Sequence, residues 1–263
     1  MSNFHVISRE RHGQMRWRRS SDYAFAAQEA TVPLVAAELP KAVMSLPIAF
    51  TEQAGSYFPA AILSLLAGKN LFVSQNGCWA GDYIPAALRA YPFRLATTED
   101  SRQVLCINED SGLVTDSPEG EPFFTEDGKP AQAVLDILNF LNQVEQNRLR
   151  TASACVALQK HGLIQPWPIT LKTESGEQSV TGLFRIDEAA LNRLSAEALF
   201  ELTQSGALPV VYCQLLSMQH LPLLGQLIEA HAKTATALQR LAPGGELDLE
   251  FLNDGGTFNF SNL

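Results

Sequence analysis

Cysteine is scarce and scattered. Cys78, Cys106, Cys155 and Cys213 stand 28, 49 and 58 positions apart in a chain of 263 residues. With no CxxC or CxxH pair, the spacing signals neither a zinc site nor a compact disulfide framework, so four buried, reduced thiols are expected. The five histidines, His5, His12, His161, His220 and His231, are equally isolated. No HxH, HxD or HExxH occurs, and eleven residues between His220 and His231 are about 16 Å on one helix, too far to share a metal. Also missing are GxSxG, which would mark a hydrolase nucleophile, and the GxxxxGK[ST] and GxGxxG loops that cradle phosphates. No metal or other cofactor is expected.

Long apolar runs are missing too. The longest patches, around 58–67 and 208–216, fall far short of the roughly 20 residues that span a bilayer, and residues 1–30 lack the apolar core of a secretory signal. A cytoplasmic protein without a membrane span is the expectation. Charged residues make up only 18% of the chain and hydrophobic ones 46%, which excludes the disordered class and supplies a packed core. A net charge of −9 disfavours phosphate backbones, so nucleic acid is not an expected partner. The charge is uneven: five arginines against Glu10 give the first nineteen residues a formal +4 and leave the remainder near −13. Residues 1–22 read as a basic arm lying on the protein's own acidic surface.

What is present concentrates in residues 70–94, where Trp79, Tyr83, Arg89, Tyr91 and Arg94 fall close together. Leu71 to Ser74 reads as a strand, Asn76-Gly77 as a hairpin turn and Cys78 to Ile84 as the returning strand, with a short helix from Pro85 that ends before Pro92. Elsewhere, Met44 to Phe50 reads as a strand that Pro47 places at an edge or a bulge, Pro59 to Leu66 as a short helix or turn, and Val104 to Asn108 as a buried strand. Ala131 to Leu149 has helical periodicity, and Thr151 reads as the cap of a second helix to Lys160. Ile169 to Thr173 and Ser179 to Ile186 read as a hairpin, Asp187 or Glu188 and then Ser195 as helix starts, and Pro209 to Leu216 as a strand or a bend into the helix that follows. A long helix over 221–241 and a C-terminal hairpin over 246–263 complete the pattern. The fold class is α+β, a mixed, mainly antiparallel sheet built from hairpins and packed against several helices in a single domain over 1–263.

With these pieces placed, the chain resembles the SapC-like family of bacterial proteins. The resemblance is carried by His12, Tyr23-Ala24-Phe25-Ala26, Val32-Pro33-Leu34, Glu38, Leu46 to Phe50, Asn70 to Val73, Trp79, Tyr83 to Ala86 and Leu88 to Phe93, and by segments in the same order up to His220. It implies an accessory role in transport, export or modification, since the family name is tied to surface-layer and peptide-transport gene clusters and members are found beside genes for outer-membrane receptors, flavin-dependent halogenases and cupin-type oxygenases. It supplies no catalytic residues.

The candidate ligand-binding residues are therefore Trp79, Tyr83, Arg89, Tyr91 and Arg94, with His12 brought in by the arm. Trp79 and Tyr83, four apart on a return strand, would share a face, and the arginines could close on a planar or anionic group. The structural alternative has Trp79 and Phe93 in the core and the arginines paired with Glu38, Glu52 or Asp82. The leading reading is a non-catalytic accessory protein that binds a peptide, protein or small amphiphilic ligand. A second is an enzyme or subunit acting with an oxygenase or halogenase, using His12, Arg89 and Tyr83. A third is a surface-layer-related assembly protein, in which the C-terminal hairpin adds a strand to a neighbour and makes a homodimer.

Overall fold

The computed structural model describes residues 3–173 and 176–240, an α+β arrangement in which every strand pairing among those residues is antiparallel. The first half contains β1 (Phe4–Val6), α1 (Arg9–His12), β2 (Arg16–Trp17), β3 (Thr31–Pro33), α2 (Leu39–Ala42), β4 (Ile48–Gln53) and β5 (Ser56–Ile62). After these come α3 (Ala86–Arg89), β6 (Phe93–Thr97), β7 (Gln103–Asn108), β8 (Val114–Thr115), β9 (Glu121–Pro122) and α4 (Gln132–Lys160). The remainder is β10 (Ile164–Pro166), β11 (Ile169–Thr173), β12 (Gly176–Val180), β13 (Phe184–Ile186), α5 (Glu188–Leu191), α6 (Ala196–Gln204), α7 (Ala207–Ser217) and α8 (Leu221–Arg240). The C-terminal hairpin read from residues 246–263 lies outside the described residues.

A five-stranded sheet runs β10-β13-β4-β5-β3, and a separate three-stranded sheet runs β1-β7-β6. Each sheet has its own core. Leu46, Ile48, Phe50, Ile62, Leu63, Leu71 and Phe72 anchor the large one, whereas Trp17, Phe93, Ile107, Phe123 and Val134 form the small one. The N-terminal residues belong to this second unit: β1 pairs with β7, β2 lies between β8 and β9, and Trp17 is buried. Arg11 pairs with Glu109 and Arg19 with Glu121, so part of the basic charge is compensated internally.

Helix α4 joins the two cores. Its 29 residues rise about 43 Å. Val134 is buried in the small core, and Thr151, Ala154, Cys155, Ala157 and Leu158 are buried at its other end. Between Val134 and Thr151 none of its side chains is buried. The expected pair of helices is therefore one. The Thr151 hydroxyl, read as a cap, donates to the Asn147 carbonyl at 2.7 Å and accepts from the Ala36 N–H at 2.7 Å, so the helix runs on beneath it.

Other expectations are corrected as well. Residues 59–62 lie in strand β5, not in a helix or turn, because Ala54 and Gly55, at φ 51° and 78°, close a tight hairpin from β4. Pro47 sits just before β4, which occupies an interior position between β13 and β5. Pro209 to Leu216 is part of α7: Ala207, Val210, Val211, Gln214 and Ser217 are its buried residues, a helical spacing that overrides the β-propensity of the valines. Gln214 bonds the Ile186 N–H and the Ile48 carbonyl, and Ser217 accepts from the Ile48 N–H, which ties α7 to the sheet. The run Ala207–His231 is long and apolar enough to cross a membrane by length and composition, with 33% of its window buried; those bonds make its first half a core helix. The caps Asp187 and Ser195 are as read, but the hairpin shifts: β11 pairs with Gly176–Val180, and Phe184–Ile186, expected in the same returning strand, is instead β13 of the five-stranded sheet.

Candidate functional site

Residues 70–94 wrap around a buried carboxylate. Glu38 is 6% exposed, and a buried charge persists only when donors surround it. One of its oxygens accepts from the Val35 N–H at 2.9 Å; the other accepts from the Tyr83 hydroxyl and the Ala86 N–H, each at 2.7 Å. Glu38 thereby ties the segment before α2 to the start of α3. Burial, and next the neighbouring Glu38 carboxylate, push the Tyr83 phenol above its ordinary value, so it stays protonated as a donor.

Arg89, on α3, lies across the space between α3 and α4. Its guanidinium is 5.1 Å from the Phe140 ring centre and 5.9 Å from that of Tyr83. Among the described residues, neither Arg89 nor Lys41 forms an ion pair. Both line a hollow of about 180 Å³ together with Glu38, Tyr83 and Phe140. The neighbouring cleft is larger, about 440 Å³, and predominantly apolar. Thr31, Pro33, Thr51, Phe58 and Ala60 present one face of β3, β4 and β5 to it, and Val144, Arg148 and Thr151 close it from α4. Apart from Phe58, the side chains on that face are small and, together with Ala87 at the rim, leave the space open. Arg148 is committed to Glu145 through two bonds of 2.7 Å, which hold the Glu145 carboxyl below its usual range.

The other candidates separate. Trp79 packs against Phe72 and Tyr23, with ring centres 5.5 and 5.7 Å away, and donates from Nε1 to the Tyr83 carbonyl at 3.0 Å. Its return strand is only a single bridge, Val73 to Trp79. Tyr91 stacks on Phe25 at 3.8 Å beside the cis Tyr91–Pro92 bond, and with Arg89 it lines a third hollow of about 160 Å³. Arg94 leaves this region altogether: its guanidinium lies 3.7 Å over the Phe4 ring, on the three-stranded sheet. Among the described residues, the expected arginine pairings with Glu38, Glu52 or Asp82 do not form.

His12 also belongs to the second sheet. Its side chain is fully buried, 5.0 Å from Phe123. The Ser8 N–H donates to Nδ1 at 3.3 Å, so the proton sits on Nε2, which donates to Glu109 at 3.1 Å. Arg11 grips the same carboxylate at 2.5 and 2.7 Å and lowers its pKa, while burial pushes the His12 imidazole down. A carboxylate is within hydrogen-bond reach, but both ring nitrogens are occupied and the side chain is sealed from solvent. His12 closes the N-terminal segment onto β7.

No group of three or more metal-ligating side chains gathers among the described residues. All four cysteines are free; Cys106 and Cys155 are buried, but Cys78 is exposed, contrary to expectation. Burial pushes the Cys155 thiol up to about 12. Sequence reasoning missed Lys41, Phe140, Val144 and the small-residue sheet face, because their proximity depends on long-range packing. The SapC family model matches residues 7–224. Neither a curated protein nor a solved structure matches the chain.

Proposed function

The chain belongs to the SapC family, and on that footing we propose that it is a non-catalytic accessory protein that binds an amphiphilic ligand between α4 and the five-stranded sheet. The observation that carries this is the junction of an apolar cleft of about 440 Å³ with a hollow lined by Arg89 and Lys41, neither of which forms an ion pair among the described residues. Clefts of roughly 300–1,000 Å³ suit small molecules and short chain segments. The apolar part of the ligand takes the cleft, and its anionic group meets Arg89. Glu38 is taken up by Val35, Ala86 and Tyr83, and the Tyr83 hydroxyl by Glu38 and Arg89, so the pair serves as wall and brace, which supports binding over chemistry. The polar face of the ligand is then read by a guanidinium, whose planar fork matches a carboxylate.

Decanoate supplies both parts of such a ligand and can be titrated against 1-anilinonaphthalene-8-sulfonate fluorescence. The expected result is saturable probe binding that decanoate displaces, weakened about tenfold in Arg89→Gln by loss of a charge-assisted bond. Ala87→Trp, at the exposed rim, should abolish it without lowering the melting temperature. Binding that is unchanged in Ala87→Trp would place the ligand elsewhere and overturn the proposal.

A further inference from the structure

We propose that the cleft is one segment of a longer groove that seats an extended peptide of about six residues, with an acidic side chain at its middle; this rests on the binding reading above. The three hollows share walls in succession. Val35, Glu38 and Val144 line both the apolar cleft and the central hollow, and Arg89 lines both the central hollow and the aromatic one at Tyr91. One wall is α4 throughout, from Ile137 beside the aromatic hollow, through Phe140 and Val144, to Thr151 beside the cleft. These residues recur at the spacing of a single helical face.

The helix itself supplies the reason for a groove. It is buried at Val134 in one core and from Thr151 onward in the other, with no buried side chain between. It therefore bridges the seam where the two cores meet; between them its inner face is only half-buried, with Ile137 and Leu141 resting on the small core, and the hollows run along it. From Ile137 to Thr151 the helix rises about 21 Å, the length of about six residues in extended conformation.

The chemistry changes along that length. The cleft end is apolar, the middle has Arg89, Lys41 and the exposed Gln143 amide, and the far end is walled by Tyr91, Phe25 and Trp17. A single-headed acyl chain fills only the cleft and the middle. A ligand with an apolar group, an anion and a second, aromatic group at successive intervals fills all three, and alternate side chains of an extended peptide have that spacing. Among the described residues Arg89 and Lys41 have no ion-pair partner, and the Glu38 carboxylate in the same hollow is held by its own three donors, so the two cations favour an acidic occupant.

A fluorescein-labelled hexapeptide with leucine, glutamate and phenylalanine at positions one, three and five tests this by anisotropy, alongside the decanoate titration. Saturable binding is expected. It should be about tenfold weaker for the glutamine-for-glutamate peptide, for Arg89→Gln and for Ser20→Trp, which fills the aromatic end. Ser20→Trp should retain decanoate binding, which also reports that it is folded. Decanoate binding without peptide binding, or peptide binding equal in Ser20→Trp and the parent, would overturn the groove while leaving the cleft reading intact. Failure of both ligands would overturn both.

Discussion

Replacing Glu38 by alanine removes the one acceptor on which three donors converge. The Val35 N–H, the Ala86 N–H and the Tyr83 hydroxyl lose their partner together. An unsatisfied buried donor costs roughly 1–3 kcal/mol, so three would cost several kcal/mol in a sealed site. Glu38 lines both the cleft and the central hollow, however, and water entering there would re-solvate part of the loss. The expected destabilisation is therefore about 3 kcal/mol, read from urea denaturation midpoints at constant slope. Tyr83→Phe removes one donor and should cost about 1.5 kcal/mol. The double variant should fall short of additivity, since both changes break the same bond. A Glu38→Ala loss below about 1 kcal/mol, or simple additivity with Tyr83→Phe, would refute the idea that this carboxylate organises the site.

Three further outcomes follow from the same contacts. Because the folded-state pKa of His12 is lowered by burial, the unfolded chain binds more protons just below pH 6.5; stability should fall as pH drops from 6.5 towards 5, and His12→Gln should flatten that slope in urea titrations. Ellman's reagent should modify Cys78 rapidly in the native protein and reach Cys106 and Cys155 only after denaturation; equal rates would contradict their burial. Gln214→Leu should cost about 2 kcal/mol in denaturant, by orphaning the Ile186 N–H; a neutral result would mean that α7 is not tied to the sheet there.

Features set by neighbouring residues were legible in the sequence. Asn76-Gly77 does turn the chain, with Gly77 at φ 81° and the Ser74 N–H donating to the Cys78 carbonyl at 2.9 Å. The two strands shrink to one bridge, Val73 to Trp79: the buried Asn70 side chain takes the Phe72 N–H and the Ala26 carbonyl at the start of the outgoing segment, and the Trp79 indole caps the Tyr83 carbonyl in the returning one. In α7, the spacing of Ala207, Val210, Val211 and Gln214 was available, but the Val-Val-Tyr content argued for a strand. The single span of α4 depended on where the Thr151 hydroxyl found its partners, one of them 115 residues away. Tyr83 and Arg89 stood out as unusual residues in a short stretch, whereas their surroundings did not. Thr31, Ala60, Ala87 and Val144 meet only after two sheets and a bridging helix have packed. Arg94 and His12 carried the right chemistry but fold onto the other sheet.

Native mass spectrometry of the protein isolated from its own cells, with Ala87→Trp in parallel, asks whether the cleft holds a ligand. A retained adduct on the parent protein, absent from a folded Ala87→Trp variant and diminished in Arg89→Gln, is the predicted result. An adduct of the same mass and occupancy on all three proteins would place the ligand outside the cleft and contradict the account.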